Sequence, residues 1–231
     1  MLERLTAAPE ANIATAYITP RIPPEKLFNI LKEIPDSSTT VIKDICAASP
    51  NGAVIFWGEN RKDLVIPPFP IRDSITLTGY EPEHLKTMLA RDYIIGIVLI
   101  RLGAYGIGVC RGDKLITSKI GTGLVHGRHR QGGSSSHRFE RHRDKQIEIF
   151  FNRVCGHVQE QLEPYIRSMD YIAYGGAWET IQLFIKYCPF LGKLNKPVLP
   201  ALSDTPEPRR AVLEKAAGRI YSSVVYEWPN S

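Results

Sequence analysis

HGRHRQGGSSSHRFERHRD, residues 126–144, holds five arginines, four histidines and three serines in nineteen positions, with paired glycines at Gly132 and Gly133. No other stretch of the 231-residue chain resembles it in composition. Extended to Lys145, it carries +4 of the chain's net +5. Charge gathered in one place has two readings, a solvated face or a surface that meets a polyanion. The residues downstream distinguish a linker from a built loop. Ile147, Phe150, Phe151, Val154, Val158, Leu162 and Tyr165 keep a three- and four-residue rhythm, which predicts one long helix over residues 136–165. From His137 to Gln146 only Phe139 is apolar, so the first turns of that helix are expected to project as a basic stalk. Arg138, Arg141 and Lys145 stand at i, i+3 and i+7 and share one face. Linkers rarely run straight into such a helix.

On the N-terminal side of the loop, DYIIGIVLI (92–100) is nearly all apolar, as expected of a central strand buried on both faces. AYGIGVCRGDKLITSKI adds strands at 104–110 and 114–119 around an RGDK turn. Beyond the long helix, DYIAYGG reads as a strand, AWETIQLFIKYCPFL as a helix and KPVLPAL as a strand. TPEPRRAVLEKAAGRIYSSV reads as a last helix with Thr205 as its N-cap. Further upstream, residues 1–50 read as mainly helical, with Leu27, Ile30, Leu31 and Ile34 at helical spacing. AVIFW (Ala53–Trp57), DLVI (Asp63–Ile66) and SITLT (Ser74–Thr78) are short strands, and EPEHLKTMLA is a helix with Pro82 in its first turn. The pattern predicts an α/β fold, a mixed β-sheet with helices on its faces, preceded by a smaller α+β N-terminal region. The expected division is 1–90 and 91–231.

Several chemistries are disfavoured. GAYGIG and GTGLVHG do not match a nucleotide-binding glycine pattern, and GKS and GKT are absent, so these are read as strand and turn glycines. Asp63, Asp92, Asp113, Asp170 and Asp204 flank strands, where acids commonly serve as caps; the central strand carries none to hold catalytic metal ions. Ser134, Ser135 and Ser136 lie beside histidines without an evident acid to orient them. The four cysteines form no CxxC pair, so no zinc site or disulfide framework is indicated and the thiols are expected to be reduced. The run Tyr93–Ile100 is far shorter than the roughly 20 apolar residues that cross a bilayer. Glu3 and Glu10 do not suit a secretory signal. No membrane partner is expected, and the expected location is cytoplasmic.

HGRHRQGGSSSHRFERHRDKQIEIFFNRV resembles the signature of the middle domain of eukaryotic and archaeal class I peptide release factors. There a basic loop with Gly-Gly-Gln is followed by S-x-x-R-F-x-R-x-R at the start of a long helix. Gly132-Gly133, Ser135, Arg138-Phe139, Arg141 and Arg143 match in register, and DYIAYGGAWETIQLF resembles that domain's next strand and helix. The likeness covers about residues 92–226. It implies a ribonuclease H-like fold whose basic Gly-Gly loop (121–137) enters the peptidyl transferase centre beside the 3′ end of the P-site tRNA. It further implies phosphate contacts from Arg128, Arg130, Ser135, Arg138, Arg141, Arg143 and Lys145. A Gly-Gly backbone and an amide side chain would then position water against the peptidyl ester and stabilise its oxyanion. The implied partners are the ribosomal large subunit, peptidyl-tRNA and rRNA, with no cofactor and no metal.

The chain departs from that signature at the glutamine, where it has Ser134; Gln131 precedes the glycines instead. In this it is similar to the release-factor-like peptidyl-tRNA hydrolases of ribosome quality control. No decoding domain and no domain for a GTPase partner is evident. Gln131, Gly132, Gly133 and Ser134 are therefore the candidate catalytic residues, with Gln131 as the water-positioning group. The alternatives are a non-catalytic ribosome- or RNA-binding module and, with least support, a metal-dependent nuclease.

Overall fold

The computed structural model describes residues 13–32, 36–59, 62–127 and 136–228. These form two units: one ends at Arg91 and regains the chain from Tyr221, and the other is Asp92–Ile220.

The first unit is built on an antiparallel five-stranded sheet in the order β4-β1-β2-β3-β9. Its strands are β1 (Ala14–Ile18), β2 (Ala53–Trp57), β3 (Lys62–Ile66), β4 (Ile75–Thr78) and β9 (Val224–Glu227). Strand period 2 sends alternate residues to opposite faces. Ala16, Ile18, Ile55 and Trp57 pack with Leu27 and Leu31 of helix α1 (Pro24–Leu31) and with Ile42 and Cys46 of α2 (Asp36–Ala48). Tyr17, Val54, Phe56 and Val65 pack with Leu85 of α3 (Glu83–Ala90). Thr15 is wholly buried, and its hydroxyl bonds Gly79 O (2.7 Å) and the Glu81 amide (3.0 Å). Two expectations for this part of the chain are corrected. Residues 14–18 form a strand inside a stretch expected to be helical. Residues 224–227 form a strand that pairs with β3, where the last helix was expected to end.

The second unit carries a mixed sheet in the order β7-β6-β5-β8. Strands β5 (Ile94–Arg101), β6 (Ala104–Arg111) and β7 (Lys114–Thr122) are antiparallel neighbours, and β8 (Tyr171–Gly175) runs parallel to β5. Val98 and Ile100, Tyr105, Ile107 and Val109, and Ile172 and Tyr174 form one core with α4 (Ser136–Leu162) and α5 (Trp178–Tyr187). The opposite face receives α7 (Arg210–Ile220), whose Leu213 lies over Gly106 and Gly108 of β6. A Cβ on Gly108 would run into Leu213 and stand 2.9 Å from the Thr117 carbonyl. Gly108→Ala should therefore lower unfolding stability by about 1–3 kcal/mol through overpacking, read as a fall in the urea midpoint at constant slope. An unchanged midpoint would mean α7 does not sit on this groove.

Three further expectations are corrected. KPVLPAL forms only two isolated parallel bridges to β8, at Val198 and Leu202, because Pro197 and Pro200 lack the N–H groups a ladder needs. Thr205 caps nothing: its hydroxyl bonds Leu202 O, and the last helix begins at Arg210, beyond Pro206 and Pro208. The helix expected over 177–191 breaks at Pro189, which opens α6 (Pro189–Lys193).

The expectation of four reduced thiols is also overturned. Cys155 on α4 and Cys188 after α5 form a disulfide, with Cα atoms 5.2 Å apart. Residues 33 apart in sequence meet because α4 and α5 pack together through Phe151 and Phe184. Cys46 and Cys110 are free and buried, and burial pushes both thiols up to about 12. At pH 8 and without reductant, a thiol reagent should label none of the four cysteines in the native protein and two after unfolding. Labelling of four after unfolding would contradict the disulfide.

Candidate nucleic-acid interface

The basic stretch sits where β7 hands the chain to α4. Strand β7 is an edge of the sheet, and its end is fastened before the loop begins. The Gly123 amide donates to Gly103 O (2.9 Å), and Arg153 Nη2 donates to Thr122 O (2.6 Å). A Cβ on Gly123 would stand 2.6 Å from the Phe150 ring, so this close approach needs glycine. Leu124 is 72% exposed while Val125 packs on the core, which is the alternation of an extended segment. Gln146 Oε1 then accepts the His126 amide (3.1 Å), and Arg143 Nε donates to His126 O (3.1 Å). The His126 and His142 rings lie 6.5 Å apart. Beneath this root, Tyr105 stacks on His157 at 5.6 Å, and Thr117 donates to Gln161 (2.6 Å). Burial raises the Tyr105 phenol above its ordinary value, while the Arg153 charge opposes the rise.

Helix α4 starts at Ser136, and its buried stripe begins at Ile147. Arg138, Phe139, Arg141 and Lys145 are all exposed, Phe139 by 56%. The stalk expected from the sequence is thus present. Seven residues at 1.5 Å each place Arg138 and Lys145 about 10 Å apart along one face. Such a row of exposed cations suits a polyanion.

Arg143 differs from the other three. It is half-buried and held by the His126 carbonyl. At 100° per residue, Arg143, Gln146, Phe150 and Arg153 share a stripe about 120° around the helix from Arg138, Arg141 and Lys145. The release-factor signature groups Arg143 with the phosphate-binding arginines and passes over Gln146 and Arg153. The signal that could have found them is the i, i+3, i+7, i+10 register of that stripe. Arg128, Arg130, Gln131, Gly132, Gly133, Ser134 and Ser135 lie outside the described residues. Among the described residues no cluster of three or more His, Cys, Asp or Glu could hold a metal, and no helix is long and apolar enough to cross a membrane. A separate cleft of about 450 Å³, lined by Arg101, Gly176, Thr180, Asp204 and Thr205, opens at the carboxyl ends of β5 and β8 and includes no residue of the basic stretch.

The family described as Actinobacteria/chloroflexi VLRF1 release factor matches residues 94–226. Among curated proteins, a peptide chain release factor subunit 1 from Archaeoglobus fulgidus is 33% identical over 163 residues, 64% of this chain and 39% of that protein. The protein of the same name from Aeropyrum pernix is 27% identical over 155 residues, 64% of this chain and 42% of that protein. This chain therefore spans about two fifths of those relatives. Among solved structures, that of the archaeal translation termination factor aRF1 is 21% identical with a TM-score of 0.41, covering 95% of this chain and 70% of that one.

Proposed function

This chain belongs to the Actinobacteria/chloroflexi VLRF1 release factor family, and on that basis we propose that it is a peptidyl-tRNA hydrolase that releases nascent chains from stalled ribosomal large subunits. The observation that carries this reading is the exposed basic stalk of α4 and the fastened strand end, which flank the Gly-Gly stretch in the chain. Arg138, Arg141 and Lys145 bind rRNA and tRNA phosphates, joined by Arg128, Arg130 and Ser135 of the loop. Gly132 and Gly133 bring backbone amides close to the ester. Gln131 orients the attacking water, and Ser134 occupies the neighbouring position that the release-factor signature gives to glutamine. The second unit's mixed sheet with helices on both faces supports the ribonuclease H-like assignment. The protein works in the cytoplasm, without a metal or other cofactor.

The test is release of a labelled nascent chain from stalled large-subunit complexes in single turnover. The expected result is protein-dependent release of the peptide that leaves the tRNA intact. Tight binding without release would instead support a ribosome- or RNA-binding module, and EDTA-sensitive RNA cleavage would support a metal-dependent nuclease.

A further inference from the structure

We propose that Gln146 and Arg143 form a clamp on His126 that sets the direction in which the loop leaves the domain, making both of them positioning residues rather than RNA contacts. The inference rests on the hydrolase reading for its kinetic consequence but not for its geometry. Gln146 takes the His126 N–H and Arg143 supplies a donor to the His126 C=O, each at 3.1 Å. One residue of the chain is thus held at both of its backbone polar groups, as a ladder partner would hold it, although β7 has ended at Thr122. The clamp is the outermost of a series. Arg153 holds Thr122 O, Phe150 covers Gly123, and Gln146 and Arg143 hold His126. Residues 122–126 are therefore laid antiparallel along α4 over about 15 Å, ten residues of helix rise.

Only eight residues, 128–135, separate Gly127 from the start of α4 at Ser136. Both anchors of so short a loop lie on one rigid helix. In a hydrolase of the kind proposed, about 1 Å of misplacement of a reacting group can cost on the order of 10² in rate.

Two measurements test the proposal on the full chain. Hydrogen exchange at the His126 amide reads the clamp without reference to activity. Gln146→Leu, which removes the acceptor, should speed that exchange about 3- to 10-fold, and Gln146→Glu, which keeps an acceptor, should restore protection. In the release assay, Gln146→Leu should lower kcat about 10- to 100-fold with KM within about 2-fold, and Gln146→Glu should recover most of it. Arg138→Gln should do the opposite, raising KM and sparing kcat. A melting temperature equal to wild type confirms that Gln146→Leu is folded. Unchanged His126 exchange in Gln146→Leu overturns the clamp. Faster exchange with unchanged kcat overturns its positioning role. Wild-type protein with a protected His126 amide and no release activity overturns the hydrolase reading, and the kinetic role with it, while upholding the clamp.

Discussion

Replacing Gln131 with alanine should slow nascent-chain release about 10²- to 10³-fold while leaving affinity for the stalled large subunit unchanged. The magnitude is that of removing one oriented polar group from a site where charge develops on an acyl oxygen. The amide of Gln131 offers both a donor and an acceptor, so it can hold a water and direct it at the ester. The Ser134 hydroxyl is shorter and a weaker candidate for that reach. Ser134→Ala should therefore cost less than Gln131→Ala. Single-turnover rates at saturating protein separate the two, because they exclude binding from the comparison. A release rate unchanged in Gln131→Ala would remove this residue from the chemistry. A larger loss in Ser134→Ala would move the water-positioning role to the serine.

Neutralising the stalk should have the second large effect, and it should act on binding. In the triple variant Arg138→Gln, Arg141→Gln, Lys145→Gln, three exposed cations are lost from one face of α4. Counterion release gives a slope of about 0.7 per neutralised phosphate for single strands. The log–log slope of affinity against salt should thus shrink by about 2, and affinity at 0.1 M salt should fall on the order of 10²-fold, with the difference closing towards 1 M. The rate at saturation should hold near wild type. Arg143→Gln should leave the salt slope nearly as it is, because that guanidinium is engaged with His126 O. An equal slope in the triple variant would mean that the stalk does not meet phosphates.

Much of the second unit was legible because its elements bury one face at a clean period. Ile95, Ile97 and Leu99 alternate with Val98 and Ile100 through a strand buried on both sides, and the α4 stripe from Ile147 to Leu162 leaves no ambiguity of period. The same stripe marks where the helix leaves the core, so the stalk is legible from residue order alone. What escaped was tertiary. In ATAYI a buried Thr15 interrupts the apolar pattern, and its partners, Gly79 and Glu81, lie more than sixty residues away. VVYE becomes a strand only because β3 offers an edge. The Cys155–Cys188 pair needed the packing of α4 on α5 to become visible. At the candidate site, composition groups Arg138, Arg141, Arg143 and Lys145, which helical register divides: Arg143 stands five residues from Arg138, on the stripe that grips the strand end, and composition alone carries no such angle.

The bond that the proposed hydrolase breaks is the ester between peptide and tRNA. The most direct test is to load stalled large subunits with peptidyl-tRNA labelled at both the peptide and the tRNA 3′ end, add the protein in single turnover, and resolve both products. Ester hydrolysis predicts free peptide with a carboxyl terminus and a full-length deacylated tRNA, formed at the same rate. Peptide still joined to terminal nucleotides, a shortened tRNA, or no release from complexes that bind the protein would contradict it.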